Sequence, residues 1–408
     1  MFQTPSTSVR PPLPRGRDWP AVSEARPAAF SLGLDAYGDP EVYATERERL
    51  FHPAHGPLFV GHQALLAAPG HVGAEADDRL LLVRSEDGQV RSFANLCPHS
   101  LRPLVTTRIP SQQSCVTCPF HQWSFRRDGS LIGARDMDFT EDQRAELGLW
   151  EFPLTAWKGN YFCGEAAAQP PFRADLELFE ETFAAIGLSG WLDFSDWSLV
   201  GSEDEVYEGD WKSFMEVYGD CFHVPPYHAG LASFADCDTL EWVFGESMHL
   251  QVLRHSAEQG GRSPLYAAWV EGLRRYHQRR GEPMADVAVI WTAFYPNVMI
   301  EYYNGLRVIS VLVPSGPLQY RNRVRYFVPP DMERLVPGLP ATILAAYGET
   351  ARQDRVLNET RHEGMAMAAE LGFTGSTYHP NLCGPAPELG TVHFHAWWRQ
   401  MMDQPAPT

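Results

Sequence analysis

The chain has 408 residues, 44% of them hydrophobic, and a formal net charge of −18. That is enough apolar material for two or three domains with sizeable cores, and the charge argues against nucleic acid or an anionic membrane as partner. Seven cysteines at irregular spacing fit a reducing, cytoplasmic setting rather than a disulfide framework.

Residues 1–27 carry Pro5, Pro11, Pro12, Pro14, Pro20 and Pro27 and are expected to be extended or disordered. They contain no apolar segment of a secretory leader. Asp39-Pro40 opens a helix that carries Val42, Glu46 and Leu50 on one face. After His55-Gly56 the period becomes that of strands: Leu58–His62, Leu80–Arg84 and Val90–Ala94, with a turn at Glu86-Asp87-Gly88. Short strands continue at Gly129–Leu131, Trp150–Leu154 and Gly159–Cys163, so residues 55–163 read as one small all-β domain.

From Pro170 the texture changes. Phe179–Ile186 reads as a helix stopped by Gly187, Trp197–Glu208 as a strand, and Gly209–Asp220 as a helix. Glu241–His255 holds one or two strands, and Pro264–Arg279 a helix. Four strands follow at Val287–Tyr295, Asn297–Tyr303, Leu306–Val313 and Arg321–Val328. Asn304-Gly305 is the strongest hairpin signal, and Pro314 to Pro317 marks another break. Ala341–Leu371 reads as a long helix and Phe394–Met402 as a short terminal one. No run reaches the length of a membrane span.

Two stretches carry chemistry. Cys97-Pro98-His99 and Cys118-Pro119-Phe120-His121 each offer a thiol and an imidazole within one tight turn. Two thiolates and two neutral imidazoles can hold a 2Fe–2S cluster, cysteines on one iron and histidines on the other. The rival is structural zinc, because Cys115-Val-Thr-Cys118 adds a C-x-x-C. Arg102, Arg108, Arg126 and Arg127 lie around these loops with no acid from Cys97 to Arg127. They read as ordinary surface or as a docking patch for an acidic electron donor.

The second stretch runs from Asp210 to His228. Glu216, Asp220 and His223 are spaced i, i+4, i+7 and would share a helix face. Pro225-Pro226 would end that helix, and His228 would turn back toward His223. Two imidazoles and one carboxylate make a facial triad with open positions on Fe(II). Asp220, one turn before His223, can accept a hydrogen bond from that imidazole and orient it.

The order Cys-x-His, Cys-x2-His, then Trp-Lys…Glu…Asp-x2-His-x4-His resembles the α subunit of Rieske non-haem iron oxygenases, the ring-hydroxylating oxygenase family. The likeness spans about Tyr37 to Arg399. It implies an α+β fold: an all-β Rieske domain (55–163) inserted in a helix-grip catalytic domain (28–54 and 164–408), with an antiparallel sheet and a long C-terminal helix. It implies Cys97, His99, Cys118 and His121 as cluster ligands, with Cys115 a buried bystander. It also implies His223, His228 and Asp354 on a mononuclear iron. Helical spacing is consistent, since Tyr347, Thr350, Asp354, Leu357 and Arg361 share a face; Glu359 is the alternative third ligand. Against the family pattern, Ser100-Leu101 stands for Arg-Gly, Gln122 for Gly, Asp210 for Asn and Val217 for Asn.

The family chemistry implied is O2 activation with electrons from NAD(P)H through a reductase or ferredoxin, in a homotrimer where Asp220 links His223 to a cluster histidine of the next subunit. The substrate is expected to be an organic, aromatic molecule. N-demethylation or oxidation of a quaternary ammonium is the alternative, with Trp242, Trp269, Trp291, Tyr295, Tyr302 and Tyr303 as cage or core residues. A non-catalytic Rieske electron carrier is a distant third reading, opposed by the box at 210–228. His393 and His395 are read as structural.

Overall fold

The computed structural model describes residues 12–14, 16, 29–30, 32–66, 70–73, 76–106, 111–373, 382–383 and 386–403. The tail at 1–27 lies almost wholly outside the described residues, and so does Arg108.

A seven-stranded antiparallel sheet forms the larger part. Its strands run in the order Ser198–Glu208, Gln319–Val328, Leu306–Gly316, Val298–Tyr303, Val287–Phe294, Met248–His255, Ala235–Phe244. The middle strands are continuous apolar runs because both faces are covered. On one face, helix Pro170–Ala185 sets Phe179 and Phe183 against Phe294 and Tyr302. On the other, helices Pro264–Arg280 and Leu339–Glu370 lay Trp269, Leu273, Leu339 and Ile343 over Val289 and Tyr303. Burying each such side chain contributes about 2 kcal/mol. Alternation along Val298–Tyr303 sends Ile300 and Tyr302 to the phenylalanine layer and Glu301 and Tyr303 to the other side.

The hairpin at Asn304-Gly305 forms, with Gly305 at φ 74°. Two boundaries shift. Strand Leu306–Gly316 runs through Pro314, and its register shifts between Pro314 and Gly316, the place where a sheet tolerates a missing N–H. Helix Pro170–Ala185 starts nine residues before the expected Phe179, because Pro170-Pro171 occupies its first turn, where proline costs no hydrogen bond. The terminal helix also starts early, at Leu389, and ends at Asp403.

Residues 58–163 form three small antiparallel sheets. The largest orders Glu151–Phe152, Val90–Ala94, Leu80–Arg84, His71–Gly73 and Ser111–Gln112. Strand Leu58–His62 pairs with Asn160–Cys163, and Val116–Thr117, Ser124–Phe125 and Leu131–Gly133 make a third sheet. Before this lobe, Asp39 caps helix Pro40–Arg49 by accepting from Glu41 N–H at 2.7 Å. Its buried Glu46 accepts from Trp211 Nε1 at 2.8 Å, Lys212 Nζ at 2.7 Å and Trp398 Nε1 at 2.7 Å. One carboxylate thus ties the first helix, helix Trp211–Tyr218 and the terminal helix together. Among the described residues no helix is long and apolar enough to cross a membrane.

Candidate metal centres

Two loops of the β lobe share one backbone plan. In the first, Cys97 N–H donates to Arg102 O and Leu101 N–H to Cys97 O, both at 2.8 Å. In the second, Cys118 N–H donates to Trp123 O at 2.8 Å and Gln122 N–H to Cys118 O at 3.1 Å. Cys97 and Cys118 are fully buried with their thiols against each other. His99 and His121 are exposed, ring centroids 4.6 Å apart, and His99 stacks on Trp123. Burial pushes the Cys97 thiol up, so a thiolate there needs a cation beside it. Thiols inside and imidazoles outside fit a two-iron cluster with one ligand type per iron. A single tetrahedral zinc would need all four donors to converge on one point. Among the described residues the donors that so converge, within 4.8 Å, belong to a different group.

Cys115 is a correction. It is half-buried rather than buried, its Sγ 3.5 Å from the Thr117 hydroxyl, because the inward position at the strand start belongs to Val116. Leu101 and Gln122, which stand where the family has glycine, have φ of 56° and 59°. That region costs a residue with a Cβ roughly 1–2 kcal/mol. Leu101 and Phe120 are exposed apolar side chains at the loop tips, the Arg102 guanidinium lying over the Phe120 ring. Arg127 is held by Gln113 O at 3.0 Å.

The converging group is His223, His228 and Asp354. His228 Nε2 lies 2.9 Å and His223 Nε2 3.6 Å from Asp354 Oδ1. The opposite ring nitrogens are held elsewhere: His223 Nδ1 by Asp220 Oδ2 at 2.9 Å, His228 Nδ1 by Gln353 Oε1 at 2.8 Å. With Nδ1 of each ring held by an outward acceptor, both Nε2 atoms face the carboxylate, the side from which a metal would be bound. Although burial works against it, His223 is raised to about 9 by Asp220 and Asp354. Despite its own burial, Asp354 is lowered by the two imidazoles. Two basic nitrogens and an ionised carboxylate around one point fit a divalent iron. Glu359 is elsewhere, 2.8 Å from Arg355 Nε.

The segment carrying the histidines differs from expectation. Helix Trp211–Tyr218 stops at Gly219, where a Cβ would sit 2.7 Å from Thr391 N. The chain then turns at Asp220, and Pro225-Pro226 open a second helix, Val224–Tyr227, instead of ending the first. Glu216 consequently leaves the histidine face. It accepts from Tyr37 OH at 2.5 Å and His395 Nε2 at 2.7 Å and pairs with Arg361. His395 is thereby structural, as is His393, whose Nδ1 lies 2.9 Å from Tyr295 OH.

A cavity of about 100 Å³ opens beside the triad. Of the aromatic residues singled out in the sequence, Trp291 and Tyr303 line it, joined by Tyr207, Tyr218, Tyr266, Tyr326 and Tyr347. Tyr295, Tyr302 and Trp269 belong to the core, and Trp242 donates to Ala386 O at 2.8 Å. Among the described residues lining it are four acids, Glu203, Asp220, Glu301 and Asp354, and no lysine or arginine. Glu301 is 5% exposed and accepts from Tyr347 OH at 2.7 Å and Tyr303 OH at 2.8 Å. Burial raises it to about 7 against those hydrogen bonds. Sequence reasoning missed Glu301, although a lone acid inside an apolar strand was its signal. It also passed over Gln353, beside Asp354.

A buried thiol pair with outward imidazoles, and a separate two-histidine, one-carboxylate centre on a helix-covered sheet, define a Rieske-type non-haem iron oxygenase. Residues 58–142 match the Rieske 2Fe-2S domain, and residues 188–404 match the ring hydroxylating alpha subunit, catalytic domain. The chain belongs to this ring-hydroxylating α-subunit family and is an oxygenase with a Rieske cluster and a mononuclear non-haem iron. It is 32% identical to the putrescine 2-hydroxylase of Ralstonia nicotianae over 92% of this chain and 97% of that one. The putrescine 2-hydroxylase of Bordetella bronchiseptica is 30% identical, over 93% and 86%. A solved quaternary ammonium Rieske monooxygenase superposes with a TM-score of 0.71 at 18% identity, over 94% and 99%, a likeness of fold.

Proposed function

We propose that this oxygenase subunit hydroxylates a small cationic amine. The observation that carries the reading is the cavity lining: tyrosines, a tryptophan and acids around the two histidines, with no lysine or arginine among the described residues. With Asp354 committed to the metal and Asp220 to His223, two carboxylates remain for the substrate. Aromatic rings and carboxylates attract an ammonium group; a neutral arene gains nothing from a carboxylate beside it. The relatives named putrescine 2-hydroxylase support an amine.

In this reading Cys97, His99, Cys118 and His121 hold the cluster, and His223, His228 and Asp354 hold the iron. When bound, the two centres supply electrons and reductive O2 chemistry. The chain's residues bind and orient the substrate, keep the two imidazoles in the right tautomer through Asp220 and Gln353, and exclude water. Electrons come from NAD(P)H through a reductase or ferredoxin, for which exposed Arg102 and Arg126 offer a docking surface.

Asp220 also has a wider role in this proposal. Its side chain is 20% exposed, next to Phe222, which is 67% exposed, and near exposed Tyr227. His99 and His121 sit in a similar collar of Leu101 and Phe120. Two exposed apolar collars on one chain suit a head-to-tail ring of three, in which Asp220 meets a cluster histidine of the next protomer. Inter-subunit electron transfer is described for the quaternary ammonium monooxygenase. The test of the substrate reading is NADH-coupled O2 uptake with amines and arenes, products identified by mass. A hydroxylated amine is expected; hydroxylated arenes with no amine product would overturn the reading.

A further inference from the structure

The two spare carboxylates are far apart, and this bears on what the substrate must be. Glu301 pairs across the sheet with Val308, Val308 with Tyr326, and Tyr326 with Gly201. Glu203 stands two residues beyond Gly201 on that fourth strand. Three strand spacings of about 4.8 Å and a two-residue step of about 6.7 Å place the two backbones roughly 16 Å apart. Both residues line one cavity, into which a glutamate side chain can reach from either strand. Glu301 is buried at the floor, whereas Glu203 is exposed at the rim, where Tyr326 hydrogen-bonds to it.

Two amide oxygens of the lining are acceptors in want of donors. Asn358 is 3% exposed; its Nδ2 donates to Asp354 O at 3.0 Å, and its Oδ1 has no partner. Asn322 Oδ1, on the strand beside Glu203, is likewise buried without a partner. Each ammonium brings three N–H donors and no acceptor, so a ligand with an ammonium at each end answers both features. A four-carbon chain sets its terminal nitrogens about 6 Å apart, and a hydrogen bond of about 2.8 Å at each end brings the span to about 12 Å.

We propose that Glu301 anchors one ammonium of an α,ω-diammonium substrate and that Glu203 receives the other at the rim, which makes the pair the specificity determinants for a short unbranched diamine. This rests on the amine reading above and narrows it. A ligand with one cationic end engages only one of the two carboxylates, so the second charge is selected.

The experiment is calorimetric binding of 1,4-diaminobutane, 1-aminobutane and choline to the metal-loaded full chain, alongside Glu301→Gln and Glu203→Gln. Wild type should bind the diamine at least tenfold more tightly than 1-aminobutane or choline. Glu203→Gln, at an exposed site, should bring the diamine down to the monoamine's affinity and leave 1-aminobutane unchanged. Glu301→Gln keeps shape and an acceptor for one of the two tyrosine hydroxyls and should weaken both ligands at least tenfold, with circular dichroism and iron content as in wild type. Equal wild-type affinity for diamine and monoamine overturns the proposal while leaving the amine reading intact, and so does an unchanged diamine preference in Glu203→Gln. No binding of any of the three amines overturns both.

Discussion

Replacing Glu216 with glutamine removes a charge from the place where four elements meet. The carboxylate is 3% exposed and joins helix Trp211–Tyr218 to Tyr37, to Arg361 on the long helix and to His395 on the terminal helix. Burial alone would drive it up from 4.5; Arg361, with the hydrogen bonds from His395 and Tyr37, brings it to about 2 instead. His395 is itself lowered by burial, so it acts as a neutral N–H donor, and Arg361 supplies the charge. At about 1.4 kcal/mol per tenfold change in proton affinity, a fall from 4.5 to about 2 is worth roughly 3 kcal/mol of folding stability. Removing one member of a buried ion pair costs a similar 3–5 kcal/mol, roughly, on general grounds. Glu216→Gln should therefore lose about 3 kcal/mol in urea unfolding at neutral pH. The folded carboxyl binds its proton more weakly than the unfolded one. Wild type thus holds this contribution above about pH 4.5 and sheds it as the pH falls toward 2, so the gap between wild type and variant should close on acidification. Because Arg361 lies two turns beyond Asp354 on the same helix, iron content should fall in the same samples. A loss under about 1 kcal/mol at neutral pH, or a gap that ignores pH, would refute the reasoning.

Three further outcomes are expected. Cys118→Ser should abolish the visible absorption of the cluster while Cys115→Ser keeps it; bleaching in the Cys115 variant would restore the C-x-x-C site. Asp354→Ala should lose the mononuclear iron and turnover with the cluster spectrum unchanged, whereas Glu359→Ala should keep both, and metal analysis separates the two. Asp220→Asn should retain both metals and a reducible cluster, yet stopped-flow reoxidation of that cluster with O2 and substrate should slow at least a hundredfold; reoxidation at the wild-type rate would remove Asp220 from the electron route.

Local signals were readable in the sequence where one residue's geometry decides the outcome. Asp39 caps its helix, Gly187 follows the end of another at φ 75°, and Asn304-Gly305 turns the chain. The ligand boxes were readable because spacing within a turn is fixed by covalent geometry. Proline misled: Pro225-Pro226 starts a helix instead of ending one, as Pro170-Pro171 does, and only the packing beyond tells a start from a stop. Glu216 misled for another reason. Its partners His395 and Tyr37 are each 179 residues away, so helical spacing gave it a face that long-range charge pairing overrode. Glu301 was passed over since its strand reads as core, and its place at the cavity depends on which strands lie beside it.

The terminal helix closes two acid wells, Trp398 over Glu46 and His395 over Glu216. Glu46 leaves the ribosome 352 residues before Trp398 does. Among the described residues the strand pairings of the β lobe are all made within residues 58–163, and N-terminal domains fold first during synthesis. The loops at Cys97 and Cys118 can thus take up their hydrogen bonds, and a cluster, on a nascent chain whose iron site does not yet exist. The helix that leads into His223 is tied through Glu46 and Glu216 to partners on residues 389–403, which are made last. A chain cut short before residue 389 would emerge coloured by its cluster and unable to retain its iron.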